Sequence, residues 1–406
     1  MPNTNEYISE VDRWSAHNYH PLPVVLERGE GAWVWDVEGK RYLDMLAAYS
    51  AVNQGHRHPR IIEALEAQAA RLTLTSRAFH NDQMGPFLHE LCDATGFERA
   101  LPMNTGAEAV ETALKAARKW GYTNKGVPEG QAEIIVCENN FHGRTTTIVG
   151  FSSEEQYRVG FGPFTPGFKL IPYGDADALA AAITPNTVGF LVEPLQGEGG
   201  VVVPPDGYFG RCVEICHAND VLVLNDEIQT GLGRTGRLFC GDWDGERGDI
   251  LIVGKALGGG VYPVSGILAS AEVMDVFTPG DHGSTFGGNP LGAAVGRASL
   301  QVILEEDLPA RSDRLGSWFT EALAEMESPH IETVRGRGLM IGVVIKAESG
   351  TARPFCEALQ ERGILAKETH EQVIRFAPPL TVEQETLEWA LSEISEVVQG
   401  VGVAVA

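Results

Sequence analysis

The chain has no apolar run approaching the roughly 20 residues that a membrane-spanning helix requires, so no such helix is expected. Basic residues are in short supply: 31 Lys and Arg against 55 Asp and Glu leave a formal net charge of -24. That balance argues against nucleic acid partners and against adhesion to anionic membranes, both of which need clustered cations. Cysteine is sparse as well. Cys92, Cys137, Cys212, Cys216, Cys240 and Cys356 are scattered without the density or spacing of a disulfide framework. Cys212 and Cys216, four apart on an expected helix, read as two small buried apolar side chains rather than a metal site, and no metal is expected. Internal repeats, low-complexity tracts and long flexible linkers are also missing.

What is present is the composition of an ordinary globular protein, 43% hydrophobic and 21% charged over 406 residues, enough for two or three domains. The segment MPNTNEYISEVDRW carries acidic residues and no apolar core, so it reads as neither a secretory signal nor a transit peptide, and a cytoplasmic location is expected. Through the middle, EIIV (from Glu133), VGFLVEP (from Val188), VLVLND and DILIVG are short apolar runs separated by helical or loop stretches. Near-continuous apolarity suits strands covered on both faces, and the expected fold is α/β with a mostly parallel, doubly wound sheet. WVWDVEGKRYL reads as a β-hairpin with Gly39 in its turn, packing on the C-terminal part, and GYTNKGVPEGQ as a surface loop. After Leu300 comes a long helix, then VRGRGLMIGVVIK, a helix from about Arg353, VIRFAPPL and a final helix. That last helix has Thr381 and Gln384 in capping-box positions and Leu387, Leu391, Ile394 and Val398 along one face. The expected division is an N-terminal segment over residues 1–54, a large α/β domain over 55–299 and a smaller α+β domain over 300–406.

Two of the strands end in chemistry. VLVLNDEIQTG runs out at Asp226 and DILIVGKALGGG at Lys255, placing a carboxylate and an amine at the carboxyl ends of neighbouring strands, where open α/β sheets bind ligands. A lysine in a dry pocket loses its charge readily and forms a Schiff base with an aldehyde. A carboxylate beside it suits a ring nitrogen that must stay protonated, and pyridoxal phosphate needs both partners. In LPMNTGAEAVETALKAARKW a strand ends, the chain turns at Thr105 and Gly106, and a helix follows with Val110, Leu114 and Ala117 on its apolar face. Such a helix N-terminus is a natural phosphate seat. Each feature alone has an ordinary reading as a cap or a solvated charge; together, at strand ends, they describe one ligand site. Two rival phosphate motifs fail. GLGRTG, Gly231 to Gly236, is separated from its strand and followed by no clear helix, and the lysine stretch lacks the first glycine and the Ser or Thr of a P-loop.

On AHNYHPLPVVLERGEG, AYSAVNQGHRHP, LTLTSRAF, LPMNTGAEA, FHGRT, GFGPFTPGF, VEPLQGEGGVVVP, NDEIQTGLGRTG, GKALGGGVYPVS, HGSTFGGNPLG and IRFAPPL, the chain resembles the class III (subgroup II) aminotransferases of fold type I almost end to end, and within them the ornithine-accepting branch. The resemblance implies that Lys255 carries the pyridoxal phosphate, Asp226 pairs with its ring nitrogen, Gln229 lies near its ring hydroxyl, Phe141 stacks on the ring, and the turn at Thr105, Gly106 and Ala107 holds the phosphate. It also implies a homodimer with active sites at the interface, in which Thr285 reaches the neighbouring subunit's phosphate, with Ser284 beside it among the cofactor-binding residues. His142, beside Phe141 in the cofactor site, stands where animal members of the branch tend to carry tryptophan. His56 and His58 in GHRHP read as turn and core residues.

The implied substrates are ornithine and 2-oxoglutarate. Family likeness places Arg144 on ornithine's distant carboxylate, Tyr19 on its α-amino group and Tyr49 nearby; a planar guanidinium suits bidentate carboxylate recognition. Arg375 would seize an α-carboxylate near the cofactor, and in the family Glu198 masks it during the ornithine half-reaction and frees it for 2-oxoglutarate. A static Glu198–Arg375 ion pair and a packing Tyr19 are the plain alternatives. Another ω-aminotransferase of the subgroup, acting on acetylornithine or 4-aminobutyrate, is the alternative activity.

Overall fold

The computed structural model describes residues 3–400; residues 1–2 and 401–406, the ends of the first and last expected segments, lie outside the described residues. A seven-stranded sheet forms the centre, in the order Arg99–Met103, Ser265–Ala269, Ile250–Val253, Leu222–Asp226, Thr187–Val192, Glu133–Cys137 and Phe168–Ile171. Ser265–Ala269 runs against both its neighbours, and the remaining pairings are parallel. All four apolar runs read from the sequence are strands of this sheet.

Alternation along the strands explains why both faces are dry. Ile134, Val136, Leu191, Leu224 and Ile252 pack with Val110, Leu114 and Ala117 of the helix Gly106–Trp120. Ile135, Cys137, Phe190, Val192 and Val223 face the other way, onto Leu179 and the helix Tyr208–Ala218 with Cys212, Val213 and Cys216. Each such side chain contributes roughly 1.5–3 kcal/mol on burial, so the sheet is held from both sides and its strand ends are fixed points. Cys212 and Cys216 are both buried apolar packing residues, as expected.

The hairpin Trp33–Asp36 and Arg41–Asp44 forms with Gly39 at φ 86, in the left-handed region that a residue with a Cβ resists. Its second strand pairs in parallel with Ile364–Leu365. A third sheet is antiparallel, in the order Ile331–Arg337, Met340–Ile345, Val373–Phe376 and Lys367–Thr369.

Two expectations need correction. GYTNKGVPEGQ is only partly a loop, because the helix Gly106–Trp120 continues as a π-helical turn, Gly121–Lys125. Gly121 packs so tightly that a Cβ there would fall 2.2 Å from Val188 Cγ1, and Lys125 Nζ donates to the carbonyls of Thr187 and Asn219 at 2.8 and 3.0 Å. The final helix, Gln384–Val398, starts later than expected: Glu383 is its N-cap with no side-chain cap bond, and Thr381 Oγ1 is buried without a partner among the described residues, so the expected capping box does not form. Leu387, Ile394 and Val398 are fully buried on it and Leu391 packs at the edge. The expected boundary between the large and the smaller domain, 299/300, falls inside an unbroken helix, Pro290–Glu305.

Candidate functional site

At the carboxyl ends of the parallel strands a cleft of about 210 Å³ opens, and eight residues read from the sequence meet there: Gly106, Ala107, Phe141, His142, Glu198, Asp226, Gln229 and Lys255. Lys255 leaves the strand Ile250–Val253 with φ 44, an uncommon conformation for a residue with a side chain, at the start of a short helical turn. Burial lowers the pKa of its amine to about 8, against the opposing pull of the Glu198 and Asp226 charges. Asp226 ends the next strand. Its Oδ2 accepts from His142 Nδ1 at 2.6 Å and its Oδ1 from the Ile228 amide at 3.1 Å. Burial disfavours the charged form of His142, but the Asp226 bond and charge outweigh it and raise the imidazole pKa. His142 therefore serves the carboxylate at the floor of the cleft.

Thr105 caps the helix Gly106–Trp120 in a reciprocal capping box with Glu108, so its hydroxyl is used locally. The next two amides, Gly106 and Ala107, have no acceptor among the described residues, and with the helix dipole they make an anion seat. Gly143 closes the loop over this seat at φ 127; a Cβ on it would press on Ala107 Cβ at 3.0 Å.

Glu198 and Arg375 form an ion pair at 2.6 Å, and Gln229 Nε2 donates to the same Glu198 oxygen at 3.1 Å. Burial opposes the charge on Glu198, yet Arg375 first and then Lys255 hold its pKa at about 2. Arg375 is 1% exposed and its guanidinium lies 4.9 Å from the Tyr49 ring centroid. Tyr49 is presented by a turn that sequence reasoning missed: Ala47, Ala48, Tyr49 and Ser50 all have positive φ, between 46 and 69. A left-handed turn of L-residues costs roughly 1–2 kcal/mol per residue, offset here by Asp44 Oδ1, which accepts the amides of Leu46 and Ala47 at 2.9 and 2.8 Å. His56, expected as a turn residue, holds the other Asp44 oxygen at 2.7 Å, and His58 contacts Glu306 at 3.0 Å.

The remaining expected residues stand at the rim. Arg144 is exposed beside the rings of Phe141 and Tyr157. Tyr19 is 79% exposed, within electrostatic reach of Tyr49. Ser284 Oγ accepts from Asn104 Nδ2 and the Gly287 amide, while Thr285 is exposed and contributes nothing to the cleft of its own chain. GLGRTG is a loop, and its Arg234 is fully buried, donating to Asn53 Oδ1, Leu339 O and Pro378 O.

Glu193, Ile228 and Thr230 also line the cleft and were not singled out in the sequence. Glu193 is buried and its Oε2 accepts the Phe141 amide at 3.0 Å while Oε1 accepts the Gly197 amide at 3.4 Å, so one carboxylate ties the two loops that carry Phe141 and Glu198. Burial pushes its pKa up to about 7. The signal available was an acid at a strand end, in VEP, the same signal that marked Asp226.

Pyridoxal phosphate fits this set. An amine of lowered pKa would meet its aldehyde, Asp226 its ring nitrogen, and the free amides of Gly106 and Ala107 its phosphate. Gln229 Oε1, buried without a partner among the described residues, is an acceptor that suits a ring hydroxyl.

Comparison with known proteins agrees. The aminotransferase class-III family model matches residues 14–398. The chain is 58% identical to an ornithine aminotransferase of Brevibacillus brevis over 397 residues, covering 98% of this chain and 99% of that one. Among solved structures, an ornithine aminotransferase from Toxoplasma gondii superposes with a TM-score of 0.97 at 46% identity, covering 98% of this chain and 95% of that one. An acetylornithine aminotransferase from Elizabethkingia anophelis also shares 46% identity, at a TM-score of 0.89, covering 98% and 99%.

Proposed function

The chain belongs to the class-III aminotransferases, and from that premise we propose that it transfers the δ-amino group of L-ornithine to 2-oxoglutarate, giving glutamate 5-semialdehyde, which cyclises to pyrroline-5-carboxylate, and L-glutamate. The observation that carries this reading is the pair of arginines at one cleft: Arg375 masked by Glu198 and Arg144 unmasked at the rim.

Bound pyridoxal phosphate supplies an aldehyde for the amine and a cationic ring that withdraws electrons from the reacting carbon. Every other part of the chemistry belongs to side chains. Lys255, with its pKa near 8, has a neutral fraction at physiological pH and can take a proton at Nζ from the substrate carbon and return it as a general base and acid. Asp226, fixed by His142 and the Ile228 amide, would keep the ring nitrogen protonated. Phe141 and Ile228 line the cleft where the ring would lie, and Thr105, Gly106 and Ala107 form the turn for its phosphate.

For ornithine, Arg144 would hold the distant α-carboxylate and Tyr19 with Tyr49 the α-amino side, so the δ-amine reaches Lys255. With Glu198 on Arg375, no second carboxylate seat is open beside the reacting carbon. 2-Oxoglutarate carries two carboxylates, and binding its α-carboxylate requires Glu198 to leave Arg375. One cleft thus serves two substrates of different charge. A homodimer is part of the same reading: Thr285 is exposed on a segment anchored through Ser284 to Asn104, which suits a contribution to a second copy's phosphate seat. A cytoplasmic location is part of the same proposal.

Replacing Lys255 by Ala should abolish both the visible band of the lysine-bound cofactor and turnover; a variant that keeps both refutes the role. A panel of ornithine, acetylornithine and 4-aminobutyrate tests the substrate, and a preference for acetylornithine would overturn the ornithine reading.

A further inference from the structure

The two arginines at the cleft are held by different means. Arg375 is neutralised by Glu198 at 2.6 Å. Arg144 is in ion pair with none of the described acidic side chains; its guanidinium carbon lies 3.8 Å from the Tyr157 ring centroid and 5.5 Å from that of Phe141. The rings are set edge to face, 6.4 Å apart and 81° between planes, so they form a corner into which the guanidinium fits.

That difference has a physical consequence. A carboxylate partner would fix an arginine by cancelling the charge it needs for a ligand. An aromatic face fixes it through the ring quadrupole and leaves all five N–H donors at the edges, still charged and still able to form a bidentate pair. Holding a long, rotamer-rich side chain in one arrangement beforehand also removes much of the ordering cost that a ligand would otherwise meet.

We infer that Tyr157 is a specificity-determining positioning residue: its ring holds Arg144 as a preorganised, unneutralised receptor for the substrate carboxylate remote from the reacting amine. Tyr157 itself sits half-buried on the short helix Glu155–Arg158, with its amide bonded to Glu154 O at 3.1 Å, so the ring is carried by the loop after the Phe141–Arg144 segment rather than by the sheet. This inference rests on the reading of Arg144 as the carboxylate clamp.

The test compares two amine donors with the holoenzyme, L-ornithine and 1,4-diaminobutane, which present the same distal amine with and without the carboxylate. In Tyr157→Leu the KM for ornithine should rise roughly 3- to 30-fold, the range of a cation–π contact, with kcat nearly unaltered and kcat/KM for the diamine unchanged. Tyr157→Phe, which keeps the ring, should restore most of the ornithine KM. Equal losses on both donors would mean a loop merely loosened, and an unchanged ornithine KM in Tyr157→Leu would mean no positioning; either result overturns the inference, as does a Phe variant as impaired as Leu. Arg144→Gln separates the premises. If it raises the ornithine KM while Tyr157→Leu does not, the clamp stands and the inference falls; if it leaves that KM unaltered, the clamp reading falls and the inference with it.

Discussion

Replacing Glu198 by Gln should turn this δ-selective site toward ordinary α-amino donors. Glu198 is held ionised at a pKa of about 2, against 4.5 for an unperturbed glutamate. At about 1.4 kcal/mol per tenfold change, that places roughly 3 kcal/mol on keeping the charge, most of it owed to Arg375. The figure is an upper bound, because the Glu198 side chain is still 24% exposed and water in the cleft screens the pair. An α-carboxylate approaching Arg375 must first displace Glu198, and the amide variant removes the charge that has to be displaced. The kcat/KM of the glutamate half-reaction should therefore rise, by up to about a hundredfold, while that of ornithine stays level or falls as its own carboxylate gains a competing seat on Arg375. The assay is single-turnover loss of the bound cofactor's visible absorption after mixing with L-glutamate or L-ornithine. An unchanged glutamate-to-ornithine ratio would refute the masking role and leave the Glu198–Arg375 contact a structural ion pair.

Further outcomes follow from the same geometry. The rate at which the apoprotein captures pyridoxal phosphate through Lys255 should climb about tenfold per pH unit below 8 and level off above it, since only the neutral amine reacts and its pKa is about 8. In Glu198→Gln that profile should move to lower pH, because a charge favouring the protonated amine is gone; a shift to higher pH would contradict the assignment. Glu193→Gln puts an amide NH2 against one of two N–H donors, so cofactor should dissociate faster on dialysis, with retention equal to the parent protein as the contrary result. Arg234→Ala strands Asn53 Oδ1, Leu339 O and Pro378 O in a buried space and should cost about 3–5 kcal/mol of stability in denaturant unfolding; a midpoint unchanged from the parent would show those acceptors are not dependent on it.

The sheet was legible in the sequence because its strands are dry on both faces, and a near-continuous apolar run of four to six residues with helical text between admits few other placements. Asp226 and Lys255 were legible for the same reason: an apolar run that ends in a charge marks a strand end. Glu193 carries that signal too, but the proline after it reads as a plain strand terminus, and only the folded chain shows its carboxylate bridging the Phe141 and Gly197 amides. The left-handed turn at Ala47–Ser50 was beyond reach, since it contains no glycine, asparagine or aspartate and depends on Asp44 and His56 from outside it. Tyr157 meets Arg144 through loop geometry that no local period encodes. At the final helix, Thr381 and Gln384 have the right spacing for a capping box, but Glu383 carbonyl accepts the first intrahelical bond, from Leu387 at 3.2 Å, so the helix begins after Thr381.

Which nitrogen leaves ornithine is the most direct question that can be put to this cleft. With the heavy isotope of nitrogen at the δ position of ornithine and unlabelled 2-oxoglutarate, the label should appear in glutamate, and the cyclic product should carry only the unlabelled α-nitrogen. Label retained in the ring, with unlabelled glutamate, would show that the α-amine reaches Lys255 and that Glu198 does not close Arg375 to the substrate.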